Sequence, residues 1–116
     1  MERVGSPRLK CRWGPADNHN SGEVDTVTTG YQNLKPYLTS LHPKNVYVLD
    51  GPGLKFKYGP IESGDLDYAA LFRTFARDQT DIVIAVATHF LLPGDTKLDT
   101  LRVNYANTLK LTKQAL

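Results

Sequence analysis

The chain has 116 residues, of which 41% are hydrophobic and 22% are charged, a composition typical of one globular domain. The formal net charge of +2 is too small to indicate nucleic-acid binding, and no apolar run is long enough to span a membrane. Cys11 is the single cysteine, so an internal disulfide is excluded and a reducing, cytoplasmic compartment is expected.

The first part of the chain carries weak structural signals. Residues 1–22 are polar and rich in turn-forming residues, with neither a strand nor a helical period, and are expected to form a flexible arm. Residues 24–29 (VDTVTT) favour a short strand that ends at Gly30. A short helix is then predicted from Asn33 to Leu41, because Pro36 is tolerated only in the first turn of a helix.

The middle of the chain predicts two strands and a helix. Residues 45–50 (NVYVLD) favour a largely buried strand, and residues 54–58 alternate apolar and lysine side chains, as in a strand near a sheet edge. Asp65 or Asp67 can cap a following helix, whose apolar residues recur at helical spacing from Tyr68 to Ala76.

The last part of the chain predicts a strand and a long helix. Residues 81–86 (DIVIAV) form a continuous apolar run, typical of a strand at the centre of a parallel sheet. Residues 98–116 favour a helix with four large apolar residues on one side, through which copies of the chain could associate. The four apolar residues of this helix are Leu101, Tyr105, Leu109 and Leu116.

The alternation of strands and helices along the chain predicts an α/β fold, a partial doubly wound (Rossmann-like) parallel sheet with flanking helices over residues 23–116.

A pattern in the second half resembles a known family. The chain reads VYVLD, then GDLDYAALFRTFARD, then TDIVIAVATHF, and finally RVNYANTLKLTKQAL. Residues 65–116 thereby resemble the extended short-chain dehydrogenases, the NAD(P)-dependent nucleotide-sugar epimerases and dehydratases. The resemblance implies a Rossmann-like fold that binds a dinucleotide, either NAD or NADP.

The resemblance also implies which residues bind the cofactor. Asp50 ends the second predicted strand, where an acidic side chain can accept hydrogen bonds from a ribose diol, although an aspartate before Gly51 is equally typical of a turn. The resemblance assigns seven further residues to the cofactor site. They are Gly30 and Tyr31 at the first turn, Asp65 and Leu66 near the adenine, Ala87 and Thr88 along the cofactor, and Asn104 on the supporting helix.

Catalytic and metal sites are not predicted. Tyr31 and Lys35 have the Tyr-x-x-x-Lys spacing of the family's catalytic pair, but they precede the second strand, whereas the family's pair follows the fifth. We therefore interpret the spacing as a chance match and expect the chain, as an incomplete segment, to be inactive alone. The three histidines are too scattered to resemble a metal site.

The first turn leaves two other functions open. Pyrophosphate binding in such folds requires two or three glycines, so that backbone amides can approach the phosphates, and this turn contains Gly30 alone. One alternative is a methyltransferase-like domain that binds S-adenosylmethionine. The other is a non-catalytic interaction module that has kept the sheet and lost the ligand site.

Overall fold

A parallel sheet and a separate hairpin form the β structure of the chain. In the computed structural model, which describes residues 4–23, 25–49, 52 and 55–116, the parallel sheet has the strand order β1-β2-β5. The hairpin pairs β3 with β4 in antiparallel register, with Val46 opposite Tyr58. The five strands are β1 (Cys11–Trp13), β2 (Leu38–Leu41), β3 (Asn45–Leu49), β4 (Lys55–Gly59) and β5 (Val83–Ile84).

Helices join and cover these strands. Asp67 begins α3, because its carboxylate accepts a hydrogen bond from the Ala70 amide at 2.9 Å. Thr96 begins α4 in the same way, since its hydroxyl oxygen accepts from the Asp99 amide at 3.2 Å. The four helices are α1 (Pro15–Asn20), α2 (Tyr31–Leu34), α3 (Tyr68–Arg77) and α4 (Lys97–Ala115).

The predicted α/β class is confirmed as a mixed α/β structure with a small parallel sheet and flanking helices. The predictions for β3, β4, α3 and α4 agree with the structure to within a few residues. The expected position of β3 is wrong, because β3 pairs with β4 and not with a strand of the parallel sheet. The sequence predicts residues 24–29, 45–50 and 81–86 as neighbouring strands, but in the described parts of these segments β3 lies outside the parallel sheet and residues 26–29 are π-helical.

The N-terminal segment is more ordered than its composition predicts. Residues 11–20, expected to be part of a flexible arm, contain β1 and α1. Trp13 is 2% exposed and its ring stacks on Tyr31 with centroids 6.4 Å apart, while Ala16 is fully buried. A single aromatic residue in a polar segment is thus enough to attach the segment to the core, because an aromatic side chain buries a large apolar area.

Residues 24–41 also differ from the prediction. Residues 26–30 form a π-helical turn in place of a strand, held by the Asp25 carboxylate, which accepts from the Thr29 hydroxyl at 3.0 Å. Val24 lies outside the described residues. The helix expected to reach Leu41 ends at Leu34, and after a 3-10 turn the chain becomes β2, since pairing with both β1 and β5 outweighs the helical spacing.

The DIVIAV segment lies at the edge of the sheet and not at its centre. Only Val83 and Ile84 are in strand conformation, and they pair with Ser40 and Leu41 of β2. Val83 is 68% exposed, so one face of this strand is open to solvent. β2 takes the central position that was predicted for β5, because β1 occupies the other side of β2.

Helix α4 packs through polar side chains. The residues that face the rest of the protein are Thr100, Asn104 and Thr108, all of them buried. The apolar side predicted from the sequence is exposed instead, and this apolar stripe consists of Leu101, Tyr105, Leu109 and Leu116.

A buried asparagine connects the hairpin to the loop before α3. The Asn45 amide nitrogen donates to the carbonyl oxygens of Ile61 and Leu66 at 2.9 and 3.0 Å. Its amide oxygen accepts from the backbone amides of Val46 and Leu66 at 2.9 and 3.1 Å. Because Asn45 is 1% exposed, water cannot replace these bonds if the side chain is removed.

We predict that Asn45→Ala lowers the free energy of unfolding by about 3 kcal/mol, since it leaves several buried polar groups without partners. The matched control is Asn107→Ala, because Asn107 makes a single, exposed hydrogen bond, to Glu62 at 2.8 Å. The control should change the free energy by less than about 0.5 kcal/mol. Urea denaturation followed by circular dichroism measures both, and equal losses in the two variants would contradict the role given to Asn45.

Candidate functional site

Three of the residues implied by the family resemblance lie together at the turn after β5. The Asn104 amide nitrogen donates to the Thr88 hydroxyl oxygen at 3.2 Å and to the Ala87 carbonyl oxygen at 3.5 Å. The Asn104 amide oxygen accepts from the Ile61 backbone amide at 3.2 Å. α4 therefore positions the turn that was predicted to run along the cofactor.

Asp65 and Leu66 lie beside β3. The Asp65 carboxylate accepts from the Val48 backbone amide at 2.8 Å and contacts the His19 ring nitrogen at 3.3 Å. Leu66 is buried, and its backbone amide donates to Asn45. Since Ile61 binds both Asn45 and Asn104, this pair and the turn after β5 belong to one hydrogen-bond network.

Gly30 and Tyr31 lie elsewhere, in the aromatic core. Tyr31 is fully buried, and its hydroxyl hydrogen bonds to the Asp78 carboxylate at 3.0 Å and to the Thr80 hydroxyl at 2.7 Å. A side-chain carbon added at Gly30 would lie 3.2 Å from both the Trp13 ring and the Glu23 carboxylate. Close packing in the core therefore explains why residue 30 is a glycine. Asp50, the remaining predicted residue, lies outside the described residues.

The Tyr31 and Lys35 pair does not have the electrostatics of a catalytic pair. Burial raises the pKa of Tyr31, whereas catalysis by such a pair requires the lysine to lower it. The Lys35 ammonium instead donates to Asp78 at 3.0 Å. Hydrogen bonds from Arg77 and Lys35 hold the pKa of Asp78 well below its usual value.

A cleft lies between the β3–β4 hairpin and the segment that follows the turn after β5. Its volume is about 530 Å³, and it separates the β3–β4 hairpin from residues 90–93. One wall ends at Leu49, directly before Asp50, and the other begins at Phe90, two residues after Thr88. The lining is mainly apolar and aromatic, with Lys57 as its charged member among the described residues.

Sequence reasoning missed the opposite wall of this cleft and the network behind it. Residues 90–93 (FLLP) are an apolar run without strand or helix structure, and that combination could have indicated a loop packed against another surface. Asn45 gave no signal, because an asparagine at the start of a strand is also common in turns. Three of its four hydrogen bonds depend on contacts that are distant in sequence.

Comparisons of the chain with protein-family models, curated proteins and solved structures found no match. Within the described part of the chain, no three histidine, cysteine or acidic side chains are grouped as metal ligands. Among the same residues, no helix combines the length and apolar character needed to cross a bilayer.

The low pKa of Asp78 predicts a specific pH dependence of stability. A carboxyl group with a lowered pKa in the folded state stabilises the fold above its unfolded pKa, near 4, and loses this contribution as the pH falls toward the folded value. The difference in unfolding free energy between the wild type and Asp78→Asn should therefore shrink as the pH falls below about 4.

Urea denaturation at a series of pH values from neutral to strongly acidic measures this difference. Arg77→Gln serves as the comparison, because it keeps the carboxyl group and removes the largest cause of its lowered pKa. It should give an intermediate pH dependence. If the unfolding free energies of the wild type and Asp78→Asn differ by the same amount at every pH, the ionised Asp78 carboxylate is not stabilised by its neighbours.

Proposed function

We propose that the chain is the NAD(P)-binding part of an oxidoreductase resembling the nucleotide-sugar epimerases and dehydratases, with the adenosine half of the cofactor in the cleft beside β3. One observation carries the proposal. The two walls of the cleft include Leu49 and Phe90, which in the sequence lie one residue before Asp50 and two residues after Thr88, the positions that the resemblance assigns to the adenosine ribose and the cofactor.

The size and lining of the cleft suit an adenosine. A volume of about 530 Å³ lies within the range typical of small-molecule sites, and such sites are lined mainly by apolar and aromatic groups. Tyr47, Tyr58 and Phe90 line the cleft, and an aromatic ring can pack against the flat face of a purine. The Asn104 network supports the proposal by fixing the turn that leads into residues 90–93.

The proposal includes a Rossmann-like, doubly wound sheet of which β1, β2 and β5 are a part. In support, neighbouring strands are parallel, and the connection from β1 to β2 contains α1 and α2, while that from β2 to β5 contains α3.

We propose that this chain binds the cofactor without catalysing a reaction, because the Tyr31 hydroxyl is buried and already hydrogen bonded. The free Cys11 supports a reducing, cytoplasmic compartment.

Isothermal titration with NAD and NADP tests this function, with saturable binding expected at millimolar ligand or below. Leu91→Trp should weaken binding by about tenfold, because the larger side chain fills the cleft. The matched control is Leu98→Trp on α4, since Leu91 and Leu98 are 56% and 54% exposed, and it should leave the affinity unchanged. Circular dichroism confirms that each variant is folded.

Two results would contradict the proposal. One is the absence of saturation with either cofactor, and the other is an equal loss of affinity in the two tryptophan variants. Saturable binding of S-adenosylmethionine without binding of the dinucleotides would instead favour the methyltransferase-like alternative.

A second candidate function, an interaction module, is favoured by the apolar stripe of α4. Leu101, Tyr105 and Leu109 follow one another at helical spacing and are all exposed, because the helix packs through Thr100 and Asn104 instead. A continuous apolar stripe on a helix is typical of a surface that pairs with another helix. We propose that a second copy of the chain covers it, as a homodimer.

Light scattering coupled to size-exclusion chromatography tests the homodimer. The wild type should be dimeric at about 100 μM, a concentration that exceeds the dissociation constant of a micromolar dimer. Tyr105→Glu should be monomeric, because it puts a charge on the apolar stripe. Ala106→Glu, an exposed neighbour outside the stripe, is the control and should remain dimeric. A monomeric wild type at this concentration would exclude the homodimer.

A further inference from the structure

Two short segments meet at the carboxyl edge of the parallel sheet. The His42 backbone amide donates to the Trp13 carbonyl oxygen at 2.8 Å, and the Ala85 amide donates to the Leu41 carbonyl oxygen at 2.9 Å. These bonds continue the ladders of β1, β2 and β5 past the last strand residues. His42 and the segment that begins at Ala85 therefore lie at the edge where open parallel sheets bind ligands.

The two faces of this sheet differ in exposure. Trp13, Leu41 and Ile84 are in register with one another and belong to the core or pack against it. Side chains alternate along a strand, so Arg12 lies on the opposite face, as does His42 one residue beyond Leu41. Arg12 is exposed and His42 is half-buried, so a ligand from solvent can reach this face.

Basic side chains collect around His42. Burial lowers its pKa from the usual 6.5, and the charges of Lys44, Arg12 and His89 lower it further. Asp17 is the acidic group that faces His42, and its carboxylate already accepts from the Lys44 ammonium at 2.9 Å. Among the described residues, no carboxylate lies within ion-pair distance of Arg12, His42 or His89.

Tyr58 connects this basic cluster, defined as Arg12, His42, Lys44 and His89, to the cleft. The rings of Tyr58 and His89 have centroids 5.3 Å apart, and the Lys44 ammonium lies 5.8 Å from the Tyr58 centroid. Tyr58 also lines the cleft proposed for the adenosine. One end of the cleft is therefore next to the cluster.

The backbone between His42 and β3 is held in place. The Tyr68 hydroxyl donates to the Lys44 carbonyl oxygen at 2.6 Å and accepts from the Lys44 amide at 3.0 Å. Pro43 is fully buried. His42 and Lys44 of the cluster thus lie on a fixed segment, and holding such side chains together in advance lowers the cost of binding a ligand.

We propose that the basic cluster binds the phosphate groups of the dinucleotide, in place of the glycine-rich first turn that this chain lacks. This inference rests on the proposed function, since it assigns the diphosphate of the same cofactor. Side-chain cations can hold a phosphate through charge-assisted hydrogen bonds where backbone amides cannot approach it. The adenosine would lie in the cleft and the diphosphate beyond Tyr58.

The inference predicts a pH dependence that a glycine-rich turn would not give. Because a bound phosphate favours protonated His42, affinity should rise as the pH falls below neutrality toward the lowered pKa of His42. Arg12, Lys44 and His89 face the same ligand, while Asp17 opposes an anion from the side of α1.

The test measures NAD, adenosine and inorganic pyrophosphate binding by isothermal titration at pH 6 and pH 8, with wild type, His42→Gln and His89→Gln. At pH 6 both variants should weaken NAD and pyrophosphate binding by about fivefold to tenfold and leave adenosine binding unchanged. His89 is exposed, so its variant keeps the test valid if His42→Gln does not fold. Arg73→Gln, an exposed arginine on α3, is the control and should have no effect.

The outcomes separate this inference from the proposed function. NAD binding that neither histidine variant changes would overturn the phosphate site and leave the cofactor proposal standing. Pyrophosphate binding that the variants weaken, without NAD binding, would support the phosphate site and reject the cofactor. If neither NAD nor pyrophosphate binds, both are rejected.

Discussion

Two buried amides, Asn45 and Asn104, hold together the parts of the chain that form the candidate site. Asn45 joins the start of β3 to the loop before α3, and Asn104 joins that loop to the turn after β5, with Ile61 as the shared partner. Each buried amide is matched by backbone groups, so removing either side chain leaves unpaired donors and acceptors inside the protein. The separation of the two cleft walls therefore depends on this network.

The same constraint explains why α4 exposes its apolar stripe. An amide that is buried must be fully hydrogen bonded, and the partners of Asn104 lie on Ile61 and on the turn after β5. The helix must therefore turn Asn104 toward the protein, and Thr100 and Thr108 are buried with it, one turn away on either side. Tyr105, which follows Asn104 and is therefore rotated about 100° from it around the helix, is left 57% exposed.

Local signals predicted the elements whose stability is local. α3 combines a capping aspartate with an apolar stripe, and β3 and β4 are joined by a short connection, so short-range patterns were sufficient. β1 and β2 are defined by pairing with strands far along the chain, and their sequences, CRW and LTSL, carry little strand preference. Of the residues that the resemblance implies, Ala87, Thr88 and Asn104 do meet, whereas Tyr31 belongs to the aromatic core.

The position of β2 has a further consequence for ligand binding. Because β2 and not β5 is central, the carboxyl edge of the sheet presents His42 between Trp13 and Ala85, where a glycine-rich turn would present backbone amides. A backbone amide is a fixed dipole whose strength does not change with pH, whereas a half-buried imidazole gains a full charge on protonation. A site built around an imidazole would bind an anion with an affinity that depends on pH and on the neighbouring cations. Screening by salt would weaken this binding.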